Sequence, residues 1–208
     1  MRILWAFLAG LAVGAAATYA LSVYLYEVGP FAARHAGPAT RPAAWAEAIA
    51  LPNLPNLHRV SPGLYRGAQP SQAGFADLKA LGVRTVVNLR LFGSDRQEAR
   101  EAGLEYVHIA AEAWDADEDE VVEFLKIVTD PARGPVFVHC THGADRTGLM
   151  VAIYRIVVQH WPKDEAVREM TEGGFGFHPF WDELVEYLRA VDVEGLRRKA
   201  GMEEECSP

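Results

Sequence analysis

Pro135-Val136-Phe137-Val138-His139-Cys140-Thr141-His142-Gly143-Ala144-Asp145-Arg146-Thr147-Gly148 joins a short apolar run to a long apolar stretch, and its reading decides the fold. Residues 135–139 have the composition of a strand buried on both faces. From Arg146 to about His160, Leu149, Met150, Val151, Ile153, Ile156 and Val157 predict a strongly apolar helix. The loop between them ends at a helix N-terminus, where backbone N–H groups and the helix dipole attract an anion. Cys140 opens that loop and Arg146 closes it. A thiol in such a field is drawn toward its thiolate, the nucleophilic form. Arg146 offers a planar fork that matches two phosphoryl oxygens. The N–H groups of Thr141, His142, Gly143, Ala144, Asp145 and Arg146 can form a nest around the rest. Gly143 lets the backbone approach a ligand, and Gly148 permits close helix packing. The stretch therefore reads as a nucleophile inside a phosphate cradle.

Working outward, strands and helices alternate. Gly63–Gly67 is a short strand, and Ser71 caps a helix through Phe75, Leu78 and Leu81 that Gly82 closes. Val83–Leu89 is a β-branched strand, Ser94–Ala102 a polar helix and Leu104–Ile109 the next strand. Asp117-Glu118-Asp119-Glu120 opens another helix, where acidic residues suit the dipole. Two further helices fall near Lys163–Thr171 and Phe180–Val191. This alternation predicts an α/β domain with a largely parallel central sheet flanked by helices.

The full string His-Cys-x-x-Gly-x-Asp-Arg-Thr-Gly resembles the signature of the cysteine-dependent protein tyrosine and dual-specificity phosphatase superfamily. Leu64-Tyr65-Arg66-Gly67-Ala68-Gln69-Pro70 and Leu81-Gly82-Val83-Arg84-Thr85-Val86-Val87-Asn88-Leu89-Arg90 are similar to its compact atypical bacterial and fungal members. The resemblance covers about residues 57–190. It implies a dual-specificity phosphatase-like fold, a shallow pocket, no metal or other cofactor, and two-step hydrolysis of a phosphate monoester through a phosphocysteine. By the same resemblance Cys140 attacks phosphorus, Arg146 and the loop amides bind the oxygens, and Thr147 hydrogen-bonds the sulfur. A first-turn helix threonine is the plain alternative for Thr147. His139 reads as a packed core residue that orients the loop, and His142 as a loop residue within reach of substrate. The loop Gly173–Pro179 borders the pocket by analogy, or folds its phenylalanines onto the core.

The general acid has two candidates. The family supplies an aspartate from the loop after the preceding strand. Here that loop holds Asp115, 25 positions before Cys140, and Trp114-Asp115 is similar to the mobile acid loop of larger tyrosine phosphatases. Asp145 is the second candidate. An aspartate directly before the arginine also occurs in myotubularin and Sac-type phosphoinositide phosphatases, where it has a role in proton transfer.

The N-terminus has a different character. Ile3–Tyr26 is 24 residues without a charge. A helix of that length reaches about 36 Å, against a hydrocarbon core of roughly 30 Å. Trp5 sits at one end and Tyr24 and Tyr26 at the other, as interfacial aromatics do. The expectation is a single-pass transmembrane anchor over 1–26, with Arg2 on the cytoplasmic side; a cleaved secretory signal is the alternative. Residues 27–50 read as a linker containing one short helix over Ala43–Ala50. The phosphatase domain is expected over 51–193, and a charged tail over 194–208.

The charge sum, 20 basic against 28 acidic side chains, excludes a counterion-displacing nucleic-acid binder. Two separated cysteines, Cys140 and Cys206, exclude a disulfide scaffold. The expected partners are a phosphorylated protein or small phosphate ester and, through the N-terminal helix, a membrane. The expected function is a dual-specificity or tyrosine protein phosphatase. Phosphoinositide, inositol phosphate or lipid-linked phosphatases of the same mechanism are the alternative, and a non-catalytic phosphate-binding module stands behind both.

Overall fold

The computed structural model describes residues 41–112 and 116–202. Among these residues six strands form one sheet in the order β1-β2-β3-β6-β4-β5. They are β1 (Glu47–Ala48), β2 (His58–Ser61), β3 (Leu64–Gly67), β4 (Thr85–Asn88), β5 (Glu105–His108) and β6 (Val136–His139). Among the described residues seven helices accompany them: α1 (Gln72–Ala80), α2 (Arg96–Glu101), α3 (Glu118–Thr129), α4 (Asp145–Val157), α5 (Lys163–Glu172), α6 (Asp182–Ala190) and α7 (Val193–Lys199). Strand alternation sorts the core. Val86 and Phe137 pack with Phe75, Leu78, Val83 and Leu104 on the side of α1 and α2. Val87, Val136 and Val138 face the other way, against Val121, Phe124 and Leu125 of α3 and the apolar residues of α4.

Local chemistry explains the element ends. Ser71 accepts a hydrogen bond from the Gly74 N–H, and Asp117 accepts from the N–H groups of Asp119 and Glu120, so both helices begin at side-chain caps. Gly82 carries the left-handed φ of +85° that ends α1. β6 is buried along its whole length, as its composition demands, and lies between β3 and β4. α4 is buried at every residue, because it lies between the sheet and the later helices.

Two expectations about fold class need correction. The sheet is mixed: β3, β6, β4 and β5 run parallel, but β1, β2 and β3 are antiparallel. The tight connection Pro62–Gly63 leaves no room for the crossover that a parallel pair requires. The transmembrane helix, and with it the single-pass membrane localisation and the membrane as partner, is also withdrawn. Among the described residues no helix is long and apolar enough to cross a membrane. The longest, α4, has 13 residues, about 20 Å against a hydrocarbon core of roughly 30 Å, and its apolar side chains are spent on the core. The stretch Ile3–Tyr26 that prompted the expectation lies outside the described residues.

The folded body takes in residues on both sides of 51–193. Trp45 and Ala46 are buried, and β1 extends the sheet where a short helix was expected. At the other end α7 buries Leu196 against the core. An internal ion pair braces this region. Glu169 of α5 receives the Arg155 guanidinium of α4 through both oxygens, at 2.7 and 2.8 Å, and also accepts the Ala46 N–H at 2.6 Å.

Candidate active site

Cys140 leaves the sheet at its centre. The residue before it, His139, pairs with Gly67 of β3 on one side and Asn88 of β4 on the other. The loop 140–144 thus emerges at the carboxyl edge of the parallel strands, where α/β sheets bind ligands. Cys140, Gly143, Ala144, Asp145, Arg146 and Thr147 are buried, while Thr141 and His142 are partly exposed.

Three successive loop carbonyls are held from outside. Thr141 O accepts from the Gln69 N–H at 3.2 Å. His142 O accepts from Asn56 Nδ2 at 2.9 Å, and Gly143 O from Arg66 Nη2 at 2.8 Å. In a trans peptide the N–H of the following residue points opposite to the carbonyl. These three fixings therefore turn the N–H groups of His142, Gly143 and Ala144 toward the other side of the loop. That is the arrangement an anion nest requires.

Gly143 has φ of +69°, and a Cβ there would lie 2.4 Å from the Gly67 carbonyl group. Its glycine is needed for close approach to β3 as well as for the turn, so the sequence reading assigned it only part of its reason. Gly148 behaves as expected of a packing glycine: a Cβ would come within 2.9 Å of Met170 on α5.

Arg146 projects from the first turn of α4. Its Nη1 makes long contacts to Leu89 O at 3.5 Å and Ala111 O at 3.4 Å, the chain segments that follow β4 and β5. Thr147 Oγ1 is buried and has no hydrogen-bond partner among the described residues, the Cys140 sulfur included. His139 stacks on Phe137 with ring centroids 5.6 Å apart. Burial, then the charge of Arg90, pushes its imidazole down to about 3, so it is neutral. Its 3.4 Å approach to Asp95 is consequently a contact with a neutral ring and not an ion pair.

Asp95 centres a buried polar cluster at the ends of β4 and β6. It pairs with Arg90 at 2.7 Å and accepts from Asn88 Nδ2 at 3.0 Å. Burial pushes the Asp95 carboxyl up, against the opposing pull of Arg90. The cluster holds the loop after β4 that carries Leu89 O to Arg146.

The two candidate acids fare differently. Asp115 lies outside the described residues. Asp145 is fully buried and turned toward the loop 173–181: it accepts from the His178 N–H and from His178 Nδ1, each at 2.9 Å. The structure brings Asp145 together with Cys140, Arg146 and Thr147 in one segment but aims its carboxylate at His178. The loop 173–179 combines both readings offered for it. Phe175 folds onto the core beneath Arg66, and His178 meets the cradle.

Sequence reasoning missed Asn56, Arg66, Asp95 and His178. Asn56 sits at a left-handed φ of 55°, a conformation that asparagine tolerates, and bridges His142 O and Phe175 O at 2.9 Å each. Arg66 stood in the quoted Tyr65-Arg66-Gly67 string, and a lone cation in a strand otherwise destined for the core was the available signal.

The chain is similar to known phosphatases in sequence and in fold. The family model described as "DSP-PTPase phosphatase fused to NAD+ Kinase" matches residues 55–183. The dual specificity protein phosphatase TpbA of Pseudomonas aeruginosa is 43% identical over 171 residues, covering 82% of this chain and 77% of TpbA. The crystal structure of a TpbA variant in complex with phosphotyrosine is 40% identical, with a TM-score of 0.69 over 79% of this chain and all of that one. The catalytic core of a Saccharomyces cerevisiae PP-IP phosphatase, at 19% identity and a TM-score of 0.65, covers 74% of this chain and 95% of its own; it shares the fold.

Proposed function

The chain belongs to the dual-specificity (DSP-type) protein phosphatase family, and from that premise we propose how its own residues divide the work and which substrates it takes. The enzyme is a cysteine-dependent phosphatase that acts on phosphorylated substrates. Cys140 Sγ attacks phosphorus in line with the ester oxygen. A sulfur–phosphorus bond forms as the phosphorus–oxygen bond breaks, and the leaving oxygen takes a proton from Asp115. A water molecule, giving its proton back to Asp115, then attacks the phosphocysteine and releases inorganic phosphate and the thiolate.

Arg146 and the N–H groups turned inward at His142, Gly143 and Ala144 bind the non-bridging oxygens, where transition-state charge is spread. Thr147 Oγ1, buried and without another partner among the described residues, donates to the sulfur as it departs in the second step. The route needs neither metal nor organic cofactor: sulfur is the nucleophile and the guanidinium carries the charge. The observation that carries this reading is the outward fastening of three consecutive loop carbonyls.

The preferred substrate is a monophosphorylated group, phosphotyrosine first. The complex of the related TpbA variant with phosphotyrosine supports this. So does the acidic balance of the chain, −8, which steers highly charged inositol polyphosphates away. The test is a panel of phosphotyrosine peptide, phosphoserine peptide, phosphoinositide and inositol polyphosphate at equal concentration. The highest kcat/KM is expected for phosphotyrosine. A large preference for a polyphosphorylated inositol or its lipid would overturn the protein-substrate reading.

A further inference from the structure

Arg66 is a charged residue in the middle of the sheet, fully buried beside Val138 of β6. Its guanidinium lies 3.6 Å over the Phe175 ring and donates Nη2 to Gly143 O. Nε and Nη1 have no hydrogen-bond partner among the described residues. Four charged or ionisable groups face it: Arg41 ahead of β1, Arg155 on α4, Glu169 on α5 and Cys140 at the loop. Glu169 is the one carboxylate of the four, and both its oxygens are already taken by Arg155. Three guanidiniums thus share one carboxylate. Burial pushes Arg66 down, to about 10, which still leaves it cationic at neutral pH.

A buried cation without its own counter-ion is costly, and folds retain such a group where function supplies the missing charge. The site facing Arg66 is the one that receives a phosphate. The hydrogen bond to Gly143 O has a second consequence, because it sets the direction of the next peptide N–H.

We propose that Arg66 is a positioning residue of the phosphate loop: it holds the Gly143 carbonyl outward so that the Ala144 N–H faces the phosphoryl group, and its buried charge is completed by the bound dianion. This rests on the phosphatase reading above. Arg146 then grips the phosphate from the helix, while Arg66 acts from beneath through the loop. Asn56 shares the task at His142 O but brings no charge.

The test uses the full chain carrying Cys140→Ser, which binds inorganic phosphate without turnover, with Arg66→Gln and Arg66→Lys added separately. Phosphate affinity is measured by calorimetry, and Tm in phosphate-free buffer. Gln keeps a donor for Gly143 O but no charge; Lys keeps the charge. Arg66→Gln is expected to bind phosphate about tenfold or more weakly while its phosphate-free Tm stays within a few degrees, because a costly buried charge has gone. Arg66→Lys is expected to stay within about threefold of the parent, since the charge remains. A purely structural arginine gives the reverse: Arg66→Gln loses Tm steeply and the folded protein binds phosphate as the parent does, which would overturn the proposal. Should Arg66→Gln not fold, Arg66→Met, which fills the same buried site without a charge, takes its place: affinity about tenfold or more below the parent's supports the proposal, and affinity within about threefold overturns it. Binding needs no catalysis, so a wild-type chain that hydrolyses no monoester would sink the phosphatase reading alone.

Discussion

Asp145 holds His178 with both carboxylate oxygens, one on the backbone N–H and one on the ring Nδ1, each at 2.9 Å. The pair ties the start of α4, one residue before Arg146, to the loop after α5. It also assigns the proton to Nδ1, since the carboxylate accepts there. With both oxygens turned to His178, Asp145 is placed to brace the start of α4 against that loop.

Asp145→Asn is therefore expected to lower turnover of an activated aryl phosphate and of an alkyl phosphate alike. Asparagine keeps one acceptor but places an NH₂ against a donor. Loss of a charge-assisted bond costs about 1.5–3 kcal/mol, so vanadate binding should weaken about tenfold or more. His178→Ala should show the same pattern. Steady-state kinetics on both esters checks this. A selective loss on the alkyl ester alone would return Asp145 to the role of general acid.

Asp115→Asn should behave differently if Asp115 protonates the leaving oxygen. General acid catalysis contributes roughly 10²–10⁴-fold, and mostly for poor leaving groups. The variant is expected to spare the activated aryl ester, cripple the alkyl ester and flatten the basic limb of the pH–rate profile. Equal losses on both esters would end its candidacy.

His139 makes acid stability testable. Its imidazole is neutral when folded, pushed down to about 3 by burial and Arg90, against an ordinary value of 6.5. Between those values the unfolded chain takes up a proton that the folded chain does not. Stability contributed by neutral His139 is thus complete above about pH 6.5 and is lost as pH falls toward 3. From pH 7 to 5 the loss is about 2 kcal/mol from this group. Urea unfolding at the two pH values measures it. His139→Asn, whatever its absolute stability, should lose less over the same interval, and an equal loss would contradict the assignment.

Much of this site is legible in the sequence for a local reason. Cys140, Arg146 and Thr147 lie in one strand–loop–helix segment, so their proximity is set by spacing along the chain. Ser71, Gly82 and Asp117 declare helix ends by their own side chains or lack of one. The supporting groups are distant in sequence. Asn56 and Arg66 reach the loop 86 and 77 residues away, and only the packing of β3 against β6 brings Arg66 there. Asp145 illustrates a second limit. Its place beside Arg146 suggested chemistry, but its direction is decided by His178, 33 residues later. β2 was missed because His58-Arg59-Val60-Ser61 carries little apolar signal, and the antiparallel edge of the sheet went with it. The apolar run at the N-terminus pointed to an anchor by length and hydropathy alone, and no described helix of the chain has those properties.

The most direct measurement is hydrolysis of phosphotyrosine and of an aryl phosphate by the full chain and by Cys140→Ser, with and without a metal chelator. Turnover by the wild-type chain is expected to be indifferent to chelator, and Cys140→Ser should have no turnover yet still bind vanadate through Arg146 and the loop amides. Activity persisting in Cys140→Ser, or abolished by the chelator in the wild-type chain, would contradict the cysteine mechanism.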